Sequence, residues 1–242
     1  MIKTKKALLE IIVCSLDDAI AAERGGATRL EVISHYELGG LTPPFDLVRE
    51  IVETVNVPAR VMLRDEEAFT VSDTTGAEKK IERLCQSARS FRELSIDGFV
   101  LGFLKTNRDG ILEIDRELVA RVLASAPNAD ATFHRAFEDL ADPLVAISEL
   151  KRHQQIDCIL TSGGGEPWAE KLARFADWER AARPEIGMLV GGGTDAEVVR
   201  LFGASTPIRA FHAGRAVRGG QRIDGAVEAG LVKKLADLID GL

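Results

Sequence analysis

GMLVGGGT (187–194) and AFHAGRA (210–216) decide the reading of this chain. Each is a run of β-type residues that ends in glycine, and Thr194-Asp195 can cap a helix following the first. Glycine lets backbone N–H groups come close to an anion because no Cβ intervenes. In a barrel of alternating strands and helices, the loops after the seventh and eighth strands commonly hold phosphate. The two turns therefore point to such a barrel, with Gly191, Gly192, Gly193, Gly214 and Arg215 as candidate ligand-binding residues.

Working back from these turns, six further apolar runs alternate with helix-like segments. The eight strand-like runs are LLEIIVC (8–14), RLEVIS (29–34), PARVMLR (58–64), GFVLGFL (98–104), ATFHRAF (131–137), CILTSGG (158–164), GMLVGGG (187–193) and IRAFHAG (208–214). Most are rich in Val, Ile, Leu or Phe, as buried parallel strands are. Helical spacing is read over 15–24, 45–54, 76–94, 114–124, 142–153, 167–182, 195–202 and 225–239. Eight βα units predict an α/β fold with a single (β/α)₈ TIM barrel over residues 1–242. The length of 242 residues is close to the roughly 250 typical of that barrel. The longest irregular stretches, 35–44 and 65–75, both follow strands and belong at the C-terminal mouth.

A net charge of −7 argues against nucleic acid or an anionic membrane surface as the main partner. No segment approaches the about 18 uninterrupted apolar residues of a membrane span. The start, MIKTKKALLEIIVCS, lacks the features of a secretory signal because Glu10 breaks the apolar run and no small-residue cleavage site follows. Cys14, Cys85 and Cys158 are widely spaced and odd in number, so reduced thiols in a cytoplasmic protein are expected.

Side chains alternate along a strand, which groups Glu10 with Ile12 and Cys14, Glu31 with Ile33 and His35, Met62 with Arg64, and Thr132 with His134. If these faces point inward, Glu10 and Glu31 are buried near basic groups such as Arg64, His134 and His212. Buried carboxylates must be paired or hydrogen-bonded. Two readings follow: an internal salt-bridge network that fills the barrel, or an acid and a base whose pKa values are pushed apart. Catalytic candidates are Glu10, Glu31, Arg64, His134, Arg135 and His212, with Glu31 or His134 as base and Arg64 as anion clamp. Ser34, Thr161 and Ser162 join the ligand-binding set through their hydroxyls and turn amides. No H-x-H, H-E-x-x-H or C-x-x-C spacing supports zinc.

RGGATRLEVIS with ELGGLTP, then VMLR, DGFVLGF, TFHRAF, ILTSGG, VGGGT and FHAGRA together resemble the copper homeostasis protein CutC family. The resemblance runs from about residue 9 to about residue 218. It implies a TIM barrel and a cytoplasmic, oligomeric protein linked to copper. The family usually carries cysteine where this chain has Ile12 and Ile33, and soft thiolates are the natural Cu(I) ligands. Only Cys14 lies close, and it is the candidate metal ligand here. The family's FHGSAR turn reads FHAGRA in this chain. The cofactor is left open, with copper the candidate. The expected partner is Cu(I) or a small anionic ligand, and the expected assembly a homo-oligomer. The alternative to a copper protein is a lyase or isomerase acting on a small phosphorylated or carboxylated substrate.

Overall fold

A computed structural model describes residues 7–242; the lysines of the N-terminal stretch lie outside the described residues. Eight parallel strands close a barrel: β1 (Leu8–Val13), β2 (Arg29–Val32), β3 (Ala59–Met62), β4 (Gly98–Leu101), β7 (Asp130–Phe133), β8 (Ile156–Thr161), β9 (Gly187–Val190) and β10 (Ala210–Ala213), with β10 pairing back to β1. The eight helices on the outside are α1 (Leu16–Arg24), α2 (Phe45–Thr54), α3 (Ala77–Arg92), α4 (Arg116–Ala124), α5 (Pro143–Leu150), α6 (Trp168–Ala182), α7 (Ala196–Ser205) and α8 (Ala229–Asp240). None of the described helices is long and apolar enough to cross a membrane.

The period of two sorts each strand. Leu9, Ile11 and Val13 of β1, Leu30 and Val32 of β2, and Val61 of β3 face the helices and belong to the main core. The opposite face fills the barrel. Ile12, Ile33, Met62 and Val100 pack together on one side of the interior, and Cys158, Leu160 and Leu189 on the other. Burying both faces accounts for the near-continuous apolar runs. The helix starts are also local: Ser15 accepts from the Asp18 N–H, Asp115 from Leu118, and Asp142 from Leu144 and Val145.

The expected runs 29–34, 58–64, 158–164 and 187–193 overshoot their strands by two or three residues, and two further runs need fuller correction. The run 98–104 is not one strand: β4 stops at Leu101, and β5 (Leu104–Thr106) turns back on β6 (Leu112–Ile114) as an antiparallel hairpin. Its turn is built by Asn107, whose Oδ1 accepts from the Asp109 and Ile111 amides, with Gly110 at φ 78°. Helix α4 accordingly starts at Arg116, two residues later than the spacing predicts. The run 131–137 also ends early, at Phe133, because residues Arg135–Asp139 form a 3₁₀ turn capped by His134. Past the ends of β3 and β7, Arg64 and His134 leave the ladder and line the mouth instead.

Candidate functional site

The interior polar residues form two levels. At the N-terminal end, the fully buried Arg60 of β3 donates to Asp157 at 2.7 and 2.9 Å, to Asp97 at 2.8 Å and to the Thr132 hydroxyl at 2.7 Å. One level up, Glu10 of β1 accepts from Arg29 Nε at 2.5 Å and bonds His212 Nδ1 at 2.8 Å. Burial by itself would raise the Glu10 carboxyl, but the Arg29 charge and the His212 hydrogen bond hold it down at about 2. Arg29 and Arg60 were not singled out from sequence. The alternation that groups Met62 with Arg64 extends to Arg60, and the one that groups Glu31 with Ile33 extends to Arg29.

Above this level lies a cavity of about 510 Å³ at the C-terminal mouth. Its floor and wall carry Glu31, His212, Arg64 and His134, and its rim carries Arg135, Gly192, Gly193, Thr194, Gly214 and Arg215. The two irregular loops contribute Tyr36, Gly39 and Phe69, of which sequence reading singled out none. Glu31 Oε2 is 3.8 Å from His212 Nε2. Burial pushes the Glu31 carboxyl up to about 7, with the nearby Glu10 charge adding to it and the His212 charge opposing it. Burial opposes the charge on His212, but Glu31 and Glu10 outweigh it and raise its pKa.

His134 behaves in the opposite way. Its Nδ1 accepts the Ala136 amide proton at 3.1 Å, and burial with the Arg64 charge pushes its pKa down to about 3. Gly102 makes room for the ring, since a Cβ there would run into Nδ1. Arg64 sits over the Phe69 ring at 4.7 Å, and the same ring lies 5.0 Å from His134. Two of its donors are taken by loop carbonyls: Nη1 by Leu38 and Gly40, and Nη2 by Glu67. Among the described residues, the buried side-chain atoms left without a partner are Glu31 Oε1, Arg64 Nε, His134 Nε2 and Arg218 Nε.

The glycine turns differ. In GGGT, Asp195 accepts from the Glu197 and Val198 amides and Thr194 Oγ1 donates to the Val190 carbonyl. The amides of Gly192, Gly193 and Thr194 have no acceptor among the described residues, and neither do those of Gly214 and Arg215. Gly192 and Gly193 have φ of 82° and 114°, a region that disfavours side chains, and a Cβ at Gly214 would collide with the Tyr36 hydroxyl. The Thr161-Ser162-Gly163 turn looks alike in sequence but is already filled. Glu138 accepts the Ser162 amide at 2.6 Å and the Thr161 hydroxyl at 3.3 Å, while Arg135 forks onto the same carboxylate at 3.0 Å. Lys171 donates to the Ser162 and Gly164 carbonyls. Ser34 also works locally, donating to the Leu41 and Thr42 carbonyls.

Cys14 lies outside this cavity. It is half-buried beside Arg218, 3.8 Å from Nη2, and lines a second, shallower depression with His35, Asp18 and Tyr36. Burial pushes its thiol up to about 11, so it is held as the thiol. The other two cysteines are buried and unpaired. Among the described residues, one set of three donors converges within 4.8 Å: Glu10, Glu31 and His212. Both oxygens of Glu10 are committed to Arg29 and His212, which makes this set a hydrogen-bonded charge network. It contains no sulfur. This set therefore does not fit a soft Cu(I) ion.

The chain matches the model of the CutC family over residues 7–217. It is 33% identical over 200 residues to the human copper homeostasis protein cutC homolog, covering 82% of this chain and 70% of the relative. A CutC family protein of Mesorhizobium japonicum is 33% identical over 205 residues, 83% of this chain and 76% of that one. The crystal structure of a CutC protein from Streptococcus agalactiae superposes with a TM-score of 0.75 at 24% identity, covering 90% of this chain and 99% of that one. Phosphoribosylanthranilate isomerase from Thermotoga maritima shares the fold at a TM-score of 0.60 and 13% identity, with 98% and 100% coverage. With the closed barrel and the matched span taken together, the chain belongs to the CutC family.

Proposed function

We propose that the mouth cavity binds a small anionic compound, phosphorylated or carboxylated, and that the buried carboxylate and imidazoles around it move a proton on that compound. The observation that carries this reading is the set of free amides at the two glycine turns, from Gly192 to Thr194 and at Gly214 and Arg215, around one cavity. Convergent N–H groups on flexible-backbone residues hold an anion without a side-chain charge. Arg215 sits on the rim among them, exposed. Beneath them Glu31 titrates near neutrality, as a general base should, and Arg64 brings a permanent positive charge to the wall. The Glu138 carboxylate in the neighbouring turn supports the same logic, since that turn shows what an oxyanion on this backbone geometry accepts.

Titration calorimetry with inorganic phosphate tests the reading, with thermal unfolding alongside. Phosphate is expected to bind and to raise Tm, because it favours the native state alone. Arg215→Glu is expected to weaken binding at least tenfold while leaving the unfolding midpoint of the ligand-free protein unchanged. No heat and no Tm shift at tens of millimolar phosphate would remove the reading.

A role in copper homeostasis is the second reading, favoured by the name of the human relative. An anaerobic Cu(I) titration of the reduced protein against a chromophoric chelator tests it, repeated on Cys14→Ser. Stoichiometric competition that the variant loses would establish a site on this thiol. No competition would direct attention to the anion cavity.

A further inference from the structure

Three of the four unpartnered buried side-chain atoms among the described residues belong to residues of the same cavity: Glu31 Oε1, His134 Nε2 and Arg64 Nε. The residues are 3%, 4% and 8% exposed. Buried polar atoms are normally satisfied, so three orphans on residues that line one cavity point to groups that a ligand supplies. Their chemical character can be assigned. Glu31 Oε1 is an acceptor. Arg64 Nε is a donor. His134 Nδ1 accepts the Ala136 amide proton, so the proton of the neutral ring must sit on Nε2. That ring is held neutral by burial and by Arg64, which leaves Nε2–H as a fixed donor with nothing to donate to.

One acceptor and two donors match the transition state for removing a proton from carbon next to a carbonyl. We propose, building on the anion-cavity reading, that the ligand is a phosphorylated α-hydroxy carbonyl compound, that Glu31 takes its carbon-bound proton, and that His134 Nε2–H and Arg64 Nε–H hold the two oxygens of the resulting enediolate. The C–H bond breaks and its proton becomes the Glu31 O–H. The C–H electron pair becomes the C=C bond, and the carbonyl π pair moves onto oxygen as the oxyanion. Return of the proton to the neighbouring carbon, with the hydroxyl proton passing between the two oxygens, gives the isomeric carbonyl compound, and no oxidant or reductant is consumed. A neutral imidazole suits this role because its N–H is closer in acidity to an enol than an imidazolium is, so the proton stays shared. His212 and Glu10 act behind Glu31. Glu10 fixes His212 through Nδ1, which turns Nε2 toward the Glu31 carboxylate.

The test compares two ligands, phosphoglycolohydroxamate, which mimics a phosphorylated enediolate, and inorganic phosphate, by calorimetry on the wild type and on His134→Asn, His134→Gln and Glu31→Gln. The Asn amide oxygen can replace Nδ1 at the Ala136 amide while removing the Nε2 donor; the Gln amide nitrogen can replace that donor. The hydroxamate is expected to bind the wild type at least 100-fold tighter than phosphate. His134→Asn is expected to lose about 10- to 100-fold of hydroxamate affinity, the scale of one charge-assisted hydrogen bond, with phosphate affinity unchanged and partial recovery in His134→Gln. Long-range ¹H–¹⁵N spectra of the wild type are expected to show His134 as the Nε2–H tautomer from pH 5 to 8. Equal affinity for the two ligands, equal loss of both in His134→Asn, or an Nδ1–H or charged His134 would overturn this assignment with the anion site intact. Binding of neither ligand would overturn the anion site itself and the assignment with it.

Discussion

The two ends of the barrel interior use the same residue types in opposite ways. At the N-terminal end, Arg60 is surrounded by Asp157, Asp97 and Thr132, and four of its hydrogen bonds are made. At the C-terminal mouth, Arg64 lies two positions beyond Met62 on the same face of the chain, and its Nε is left bare. A saturated buried charge is a structural part, whereas an unsaturated one costs stability unless a ligand completes it. Glu10 and Glu31 repeat the contrast. Glu10 is locked between Arg29 and His212 and held down at about 2, while Glu31 is left with a free oxygen and pushed up to about 7. The charges are thus paired below, and above they are left with atoms that have no partner.

The largest effect that would break this comparison is at the closed end. Replacing Arg60 with Met is expected to destabilise the protein by about 3–5 kcal/mol in urea unfolding, because Asp157 and Asp97 lose their common partner. A loss below about 1 kcal/mol would mean that the lower network is not what holds this end together.

The next effect appears in acid. Glu10 has a folded pKa below its ordinary value of 4.5, so it contributes stability above pH 4.5 that is lost as the pH falls toward about 2. Glu10→Gln is expected to remove that stretch of the stability–pH curve, measured as unfolding midpoints between pH 2 and 5. An unchanged curve would put the acid sensitivity elsewhere.

Glu31 carries the opposite sign. The folded state binds its proton more tightly than the unfolded chain does, so its contribution is fully present below pH 4.5 and declines as the pH rises toward about 7. Glu31→Gln is therefore expected to be more stable than the wild type at pH 8, by about 1–2 kcal/mol. The gain should shrink at pH 5. A variant less stable at pH 8 would place Glu31 with the structural charges of the lower end.

The smallest effect on stability belongs to the rim. Exposed Arg215 is expected to tolerate replacement by Ala within about 0.5 kcal/mol of the wild type, while phosphate binding weakens. A larger stability loss would tie this arginine to the fold.

Local patterns made most of the framework legible. Period-two alternation placed Glu10, Glu31, Met62 and Arg64 inside, and eight apolar runs gave the number of barrel strands. The same alternation had no means of ending a strand at the mouth, so the runs were carried past the ends of their strands, 98–104 and 131–137 among them; the hairpin of β5 and β6 was hidden because Leu104–Thr106 continues the apolar character of β4. The glycine turns show a second limit. TSGGG and VGGGT are alike as strings, yet one holds Glu138 from 24 residues away and the other faces the cavity. Likewise Cys14 shares a strand face with Glu10, but turns at the end of β1 toward Arg218 and His35.

By itself, then, the sequence determined the barrel, its inward and outward faces, the family to which the chain belongs and the pool of residues from which a site is drawn. Only the closed structure decided which of those residues are partners and which are free. Arg60 meets Asp157 across 97 positions, and His212 meets Glu10 across 202. Such pairings follow from strand order, register and closure of the sheet, and a pKa follows from the pairings and the burial they bring, so no local pattern of residues contains them.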